Sequence, residues 1–196
     1  MAIMGRPREF SCDEALDRAL QIFWRKGYEG ASMTDLTEAM GITKPSLYAA
    51  FGNKEELFRK ALDRYVDGPG RYFQEALQKP TSREVVSHML YEAADALTNP
   101  GTPGCLAVQG ALSCSDTAES IKQELAARRA QGESDLRTRF QRALAEGDLP
   151  DGADAADLAR YISAMLQGMA VQAAGGASRA QLRGIADMTL RSWPPV

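Results

Sequence analysis

Apolar residues recur at every third or fourth position along nearly the whole chain, and no run alternates Val, Ile, Thr and aromatic residues with polar ones. A helix gathers such residues on one face because side chains step about 100° around its axis, whereas a half-buried strand needs a period of two. The chain is therefore read as all-α. Its longest apolar stretches fall well short of the ~18 residues that argue for a membrane span, and the opening MAIMGRPREF contains no apolar stretch of a secretory leader. A cytoplasmic protein with no membrane partner is expected.

The chain has 196 residues, of which 44% are hydrophobic and 25% charged, values of an ordinary packed domain. Net charge is −3, which alone gives no reason to expect a nucleic acid. Residues 1–60 hold nine Lys/Arg and nine Asp/Glu, while the remainder holds fourteen and seventeen, so the acidity belongs to the carboxyl-terminal part. Any contact with a polyanion must then come from locally placed cations. Cys12, Cys105 and Cys114 form an odd, sparse set without CxxC spacing, which excludes a disulfide framework and a zinc site and suits a reducing compartment. No metal and no cofactor are expected. His88 is the single histidine and has no partnered carboxylate or thiol in the pattern, so an enzyme would have little to build acid–base chemistry with.

Cap and breaker residues divide the chain. A first helix opens at Ser11-Cys12-Asp13-Glu14 and carries Leu16, Ala19, Leu20, Phe23 and Trp24 on one side until Gly27. Ser32, with Asp35 three residues on, caps a short helix that ends at Gly41. Thr43 caps another, with Pro45 in the first turn where its missing N–H is harmless, running to Phe51. Asn53 with Glu56 opens a fourth, reaching about Asp67 before Gly68-Pro69-Gly70. Further helices are read over 82–98, 105–114, 116–146, 154–174 and 178–192, with no fixed repeat.

Two short helices joined through a glycine and packed on a longer one have the layout of a helix-turn-helix, although a plain helical hairpin shares it. In the DNA-binding version the second helix enters the major groove with its outward residues at base edges. Here Leu47 and Phe51, four apart, face inward and leave Lys44, Ser46, Tyr48 and Ala49 outward. Lys44 and Lys54 each follow a cap residue at the positive end of a helix dipole, where a cation is disfavoured by ~0.3–1 kcal/mol. A phosphate at such an end would be held by free N–H groups and the lysine together. Gly5-Arg6-Pro7-Arg8 supplies a basic arm, with Arg6 and Arg8 suited to the minor groove or to phosphates, or else an ordinary tail.

The stretches Gly5-Arg-Pro-Arg-Glu-Phe, Ala-Leu-Gln-Ile-Phe-Trp-Arg-Lys-Gly-Tyr (19–28) and Asp-Leu-Thr-Glu-Ala-Met-Gly-Ile-Thr-Lys-Pro-Ser-Leu-Tyr-Ala-Ala-Phe-Gly-Asn-Lys-Glu-Glu-Leu-Phe (35–58) resemble the DNA-binding domain of TetR-family transcriptional regulators. The resemblance implies that Ser32, Tyr48 and Lys54 contact phosphates and that Lys44, Ser46 and Ala49 lie at or near base edges. Two positions depart from the family pattern. Thr37 stands where a small Ala is usual, and Ala50 stands where many members carry His, which removes one phosphate donor.

The resemblance divides the chain into a DNA-binding domain over 1–55 and an effector-binding and dimerisation domain over 56–196. In the latter, Met89, Leu106, Gln109, Met165 and Met169 sit on apolar helix faces, where they serve as core or as an adaptable pocket for a largely apolar small molecule. Ala164, Gly168 and Ala173 are small residues along 154–174 that would let a second helix approach closely, within the chain or across a four-helix dimer interface. The stretch 158–170 looks like the family's dimerisation helix. The expected protein is a homodimeric regulator of palindromic double-stranded operator DNA, released by a small-molecule effector. A thiol switch between Cys105 and Cys114 is disfavoured, since nine residues rise ~13 Å along a helix and a disulfide would need that segment to unfold.

Overall fold

The computed structural model describes residues 11–113 and 118–194, the side chains of 111–113 excepted. Among them every regular element is helical, in the order α1 (Cys12–Gly30), α2 (Met33–Met40), α3 (Lys44–Phe51), α4 (Lys54–Asp67), α5 (Tyr72–Leu77), α6 (Ser82–Leu97), α7 (Leu106–Ser113), α8 (Glu119–Ala145), α9 (Ala155–Ala174) and α10 (Arg179–Arg191). The all-α expectation holds. Arg6, Arg8 and Cys114 lie outside the described residues.

The caps act where the sequence places them. Ser11, Ser32, Thr43 and Asn53 each accept from a backbone N–H three residues on, closing α1, α2, α3 and α4, and Asp35 and Glu56 return the bond to their cap backbones. Gly41 ends α2 at φ 68°, a left-handed conformation in which its missing Cβ avoids a steric penalty, and turns the chain into α3. The first helix differs from expectation. It kinks at Gly27 (φ 70°) and continues to Gly30, because the left-handed residue is followed by one more helical turn.

Two apolar cores result. The first joins α1 to α4 around Phe23, Leu36, Leu47, Leu57 and Phe58 and recruits Leu106, Ile121 and Leu125. The second gathers α5, α6, α9, α10 and the far half of α8 around Met89, Leu90, Phe140, Ile162, Met169 and Trp193. Helix α8 thus runs through both, with Ile121 and Leu125 in one core and Leu136 and Phe140 in the other. Trp24 Nε1 donates to the Gly104 carbonyl at 3.0 Å, and within the first core the Trp24 and Tyr65 rings meet edge-on at 4.7 Å. Helix α5 was not expected from the sequence: it has six residues and no side-chain cap, and it buries only Ala76 and Leu77.

Candidate nucleic-acid interface

Helix α3 divides sharply between its faces. Leu47 and Phe51 are buried against α1, α2 and α4, while Lys44 and Ala49 are exposed and Tyr48 is 51% exposed. Ser46 is half-buried, and its hydroxyl is 2.9 Å from that of Thr43, while its N–H donates to the same hydroxyl. The C-terminal end is tied down as well: Lys60 Nζ donates to the Phe51 carbonyl at 3.0 Å. The result is a short, fixed helix presenting Lys44, Tyr48 and Ala49 outward with Ser46 half-buried beside them; in its first turn Pro45 has no N–H and those of Ser46 and Leu47 are taken by Thr43. Such a face can meet phosphates and base edges without rearrangement.

The other expected phosphate contacts are partly committed inside the chain. Ser32 caps α2, and its hydroxyl donates to Asp35 Oδ2 at 2.8 Å. Lys26 donates to Asp35 Oδ1 at 2.7 Å, and this bond, followed by those from the Ser32 side chain and backbone, holds the Asp35 carboxyl down at about 2. Lys54 is half-buried. Its ammonium sits 4.6 Å above the Tyr28 ring and donates to the Glu29 carbonyl at 3.5 Å, so burial lowers its pKa while Glu29 opposes the shift. Lys54 is therefore packing as well as charge. The two sequence departures are accommodated locally: Thr37 is buried but donates to the Met33 and Thr34 carbonyls at 3.0 and 3.1 Å, and Ala50 packs against the first core.

A cavity of about 320 Å³ lies where the two cores meet. Leu62, Tyr65 and Val66 of α4, Tyr72 and Phe73 of α5, Cys105, Val108, a stretch of α8 from Arg128 to Asp135, and Ser163, Leu166 and Gln167 of α9 form its wall. Tyr65 donates to Cys105 Sγ at 3.2 Å; burial, then Cys105 nearby, pushes both the Tyr65 and Tyr72 phenols up, so both stay protonated donors. None of Met89, Leu106, Gln109, Met165 and Met169 lines this cavity. Met89, Leu106 and Met169 are fully buried core, Met165 packs partly buried against the second core, and the Gln109 amide donates to the Pro103 carbonyl at 2.7 Å. The missed wall residues come from six helices, most of them giving one to three. No local periodicity marks such a set.

The face of α9 and α10 turned to solvent carries Ala164, Gly168, Val171 (48% exposed) and Met188 (61% exposed). A Cβ added at Gly168 would meet nothing within 4 Å. Ala173 does not belong to this face: it is buried in its own chain's core, since five residues beyond Gly168 turn about 140° around the helix. Among the described residues no helix is long and apolar enough to cross a membrane, and no three His, Cys, Asp or Glu side chains gather as metal ligands would.

Comparison with known proteins gives a consistent match at both ends of the chain. The model for bacterial regulatory proteins of the tetR family matches residues 15–61, and that for the tetracyclin repressor-like C-terminal domain matches residues 86–186. The HTH-type transcriptional repressor ComR of Escherichia coli is 37% identical over 193 residues, covering 97% of this chain and 92% of ComR. The repressor BdcR from the same organism is 35% identical over 122 residues, 61% of each chain. Among solved structures, a cysteine-substituted form of the TetR family transcriptional regulator CifR, complexed with 26-bp operator DNA, superposes with a TM-score of 0.91 at 42% identity, covering 96% of this chain and all of that one.

Proposed function

This chain belongs to the TetR family of transcriptional regulators, and from that premise we propose that it is a repressor that binds palindromic operator DNA as a homodimer and is released by a small molecule. The observation that carries the DNA-binding reading is the two-faced α3, whose inner residues are core and whose outer Lys44, Tyr48 and Ala49 are exposed among the described residues, with Ser46 half-buried beside them. Its relatives ComR and BdcR are repressors, and the cysteine-substituted CifR is complexed with operator DNA, which supports the same assignment. Arg6 and Arg8 would extend the contact from the arm that precedes α1. We take 1–55 as the reading unit and 56–196 as the sensing and dimerising unit, with α4 passing from one to the other.

Dimerisation rests on the apolar strip of Ala164, Gly168, Val171 and Met188, which has the width of a helix-pair seam when met by its own copy. Release rests on the cavity. Its wall includes α4, so a ligand there bears on the helix that follows the recognition helix, and Tyr65 relays the contact to Trp24 of α1. A ligand preferring a conformation with the two α3 helices wrongly spaced weakens DNA binding by the same coupling energy that DNA imposes on the ligand. A constitutive DNA-binding protein is the alternative, and a fully filled carboxyl-terminal domain would have favoured it. Selection of bound duplexes from a random pool by the full chain tests the reading. A two-fold symmetric site with half-sites about one helical turn apart is expected; enrichment of no sequence, or of a single half-site, overturns it.

A further inference from the structure

The cavity reads as an effector site, and the inference here rests on that reading while going further, to the class of ligand. Most of the wall is apolar, with Leu62, Val66, Phe73, Leu97, Val108 and Leu166. The charged groups at its edge come from α8 and differ in how far they are committed. Arg128 donates to Asp63 at 2.7 Å and to Glu124 at 2.8 Å, Glu133 lies 3.6 Å from Arg160 Nε, and Asp135 accepts from Gln131 Nε2 at 2.7 Å. Arg129 differs from all of these. Its Nη1 donates to the Ala107 carbonyl at 3.3 Å, and among the described residues no carboxylate pairs with it.

A guanidinium is a planar fork of N–H donors that stays charged at any pH of interest, and among the described residues the other N–H groups of Arg129 have no partner. A half-buried cation beside an apolar chamber is stabilised most by an anion that accepts two parallel hydrogen bonds, which is the geometry a carboxylate offers. Tyr72 adds a second donor on the same wall, with its hydroxyl unpartnered among the described residues and kept protonated by burial. We propose that the cavity takes an organic anion: a carboxylate seated on Arg129 and carried by an apolar body that fills the Leu62, Phe73 and Leu166 side. A volume of about 320 Å³ suits an aromatic acid or a medium-chain fatty acid rather than a long-chain one.

Calorimetric titration of the full chain without DNA, using octanoate against octanamide and benzoate against benzamide, tests this directly. The acid of each pair is expected to bind at least about tenfold more tightly than its neutral isostere, and Arg129→Gln to remove that preference, an unchanged urea midpoint showing that the variant is folded. Equal binding of acid and amide, binding of neither, or a preference that survives in R129Q overturns the inference. Operator binding is measured separately. Arg129-dependent acid binding that leaves the DNA complex intact would sink the effector reading and keep the ligand class; release by a neutral apolar compound with no acid binding would do the reverse.

Discussion

Side-chain caps are complete over α1 to α4 and mixed in the rest of the chain. Each N-terminus from α1 to α4 is closed by a side chain, at Ser11, Ser32, Thr43 and Asn53. Around the cavity, α6 and α9 are capped by Thr81 and Asp154, whereas α5 follows Arg71 and α8 follows Ala118 without a side-chain cap. A cap is worth ~1 kcal/mol and, more usefully, fixes where a helix begins whatever its neighbours do. The reading unit is thus specified residue by residue and holds α3 in one orientation. Two of the cavity's wall helices are instead held by tertiary contact, so their positions answer to what fills the space between them. A rigid reader attached to a wall that can adjust is what a ligand-released repressor requires.

Neighbouring residues of α3 offer the sharpest way to break this comparison. Leu47 is fully buried and Tyr48 is exposed. Leu47→Ala should lower unfolding stability by about 2–5 kcal/mol through lost burial and an unfilled cavity, read as a fall in the urea midpoint. If the loss were under about 1 kcal/mol, α3 would not be the fixed element described.

The next effect belongs to the sensing unit. Gly168→Arg places a long cation on the open face of α9, where an added Cβ meets nothing, so the chain should fold normally and yet fail to pair. Light scattering should then give monomers, and operator affinity should fall about a hundredfold because each monomer holds a single half-site. A wild-type chain that is monomeric at micromolar concentration would remove the basis for this.

Legibility followed the same division. Everything written in short-range signals could be read: caps, the glycine at φ 68°, the outward residues of α3 and the boundaries of α6, α9 and α10 lie close to where cap and periodicity put them. What escaped was tertiary. Helix α5 has no cap and is too short for a period to emerge. The five proposed pocket residues shared apolar helix faces, but such a face is core when another helix covers it and pocket only when none does, which sequence cannot decide for Met89 or Met169. Ala173 was grouped with Gly168 by size, although its angular position turns it inward. The uncommitted Arg129 becomes visible only once the carboxylates around it are seen to be engaged elsewhere.

Smaller effects test the outer face of the reading unit. Tyr48→Ala should leave stability unchanged, reduce operator affinity about tenfold, and lower the slope of log affinity against log salt by about one unit if a phosphate contact is lost with it. Lys54→Ala should behave differently, since its ammonium also covers the Tyr28 ring. Its loss should shrink the salt slope and also lower the thermal midpoint slightly, and an unchanged midpoint would mean that the ring contact contributes nothing.

The smallest effect concerns pH and the cap of α2. Asp35 accepts from Lys26, from the Ser32 hydroxyl and from the Ser32 N–H, and in the folded chain its carboxyl is held at about 2 against an ordinary 3.8. A carboxyl depressed in the folded state binds protons more readily when unfolded, so its contribution is complete above about pH 4 and disappears as pH falls toward 2. The group is exposed, so solvent screens the interaction and the effect is modest. Acid acts on the rest of the chain as well, so the contribution of Asp35 is isolated by difference. Asp35→Asn keeps the shape and removes the charge, as protonation does. The gap in urea midpoint between wild type and D35N should be constant from neutral pH down to about 4 and close between 4 and 2. A gap that stays open at pH 2 would mean that α2 is stabilised by the shape of the Asp35 side chain and not by its charge, and the electrostatic part of the cap would have to be given up.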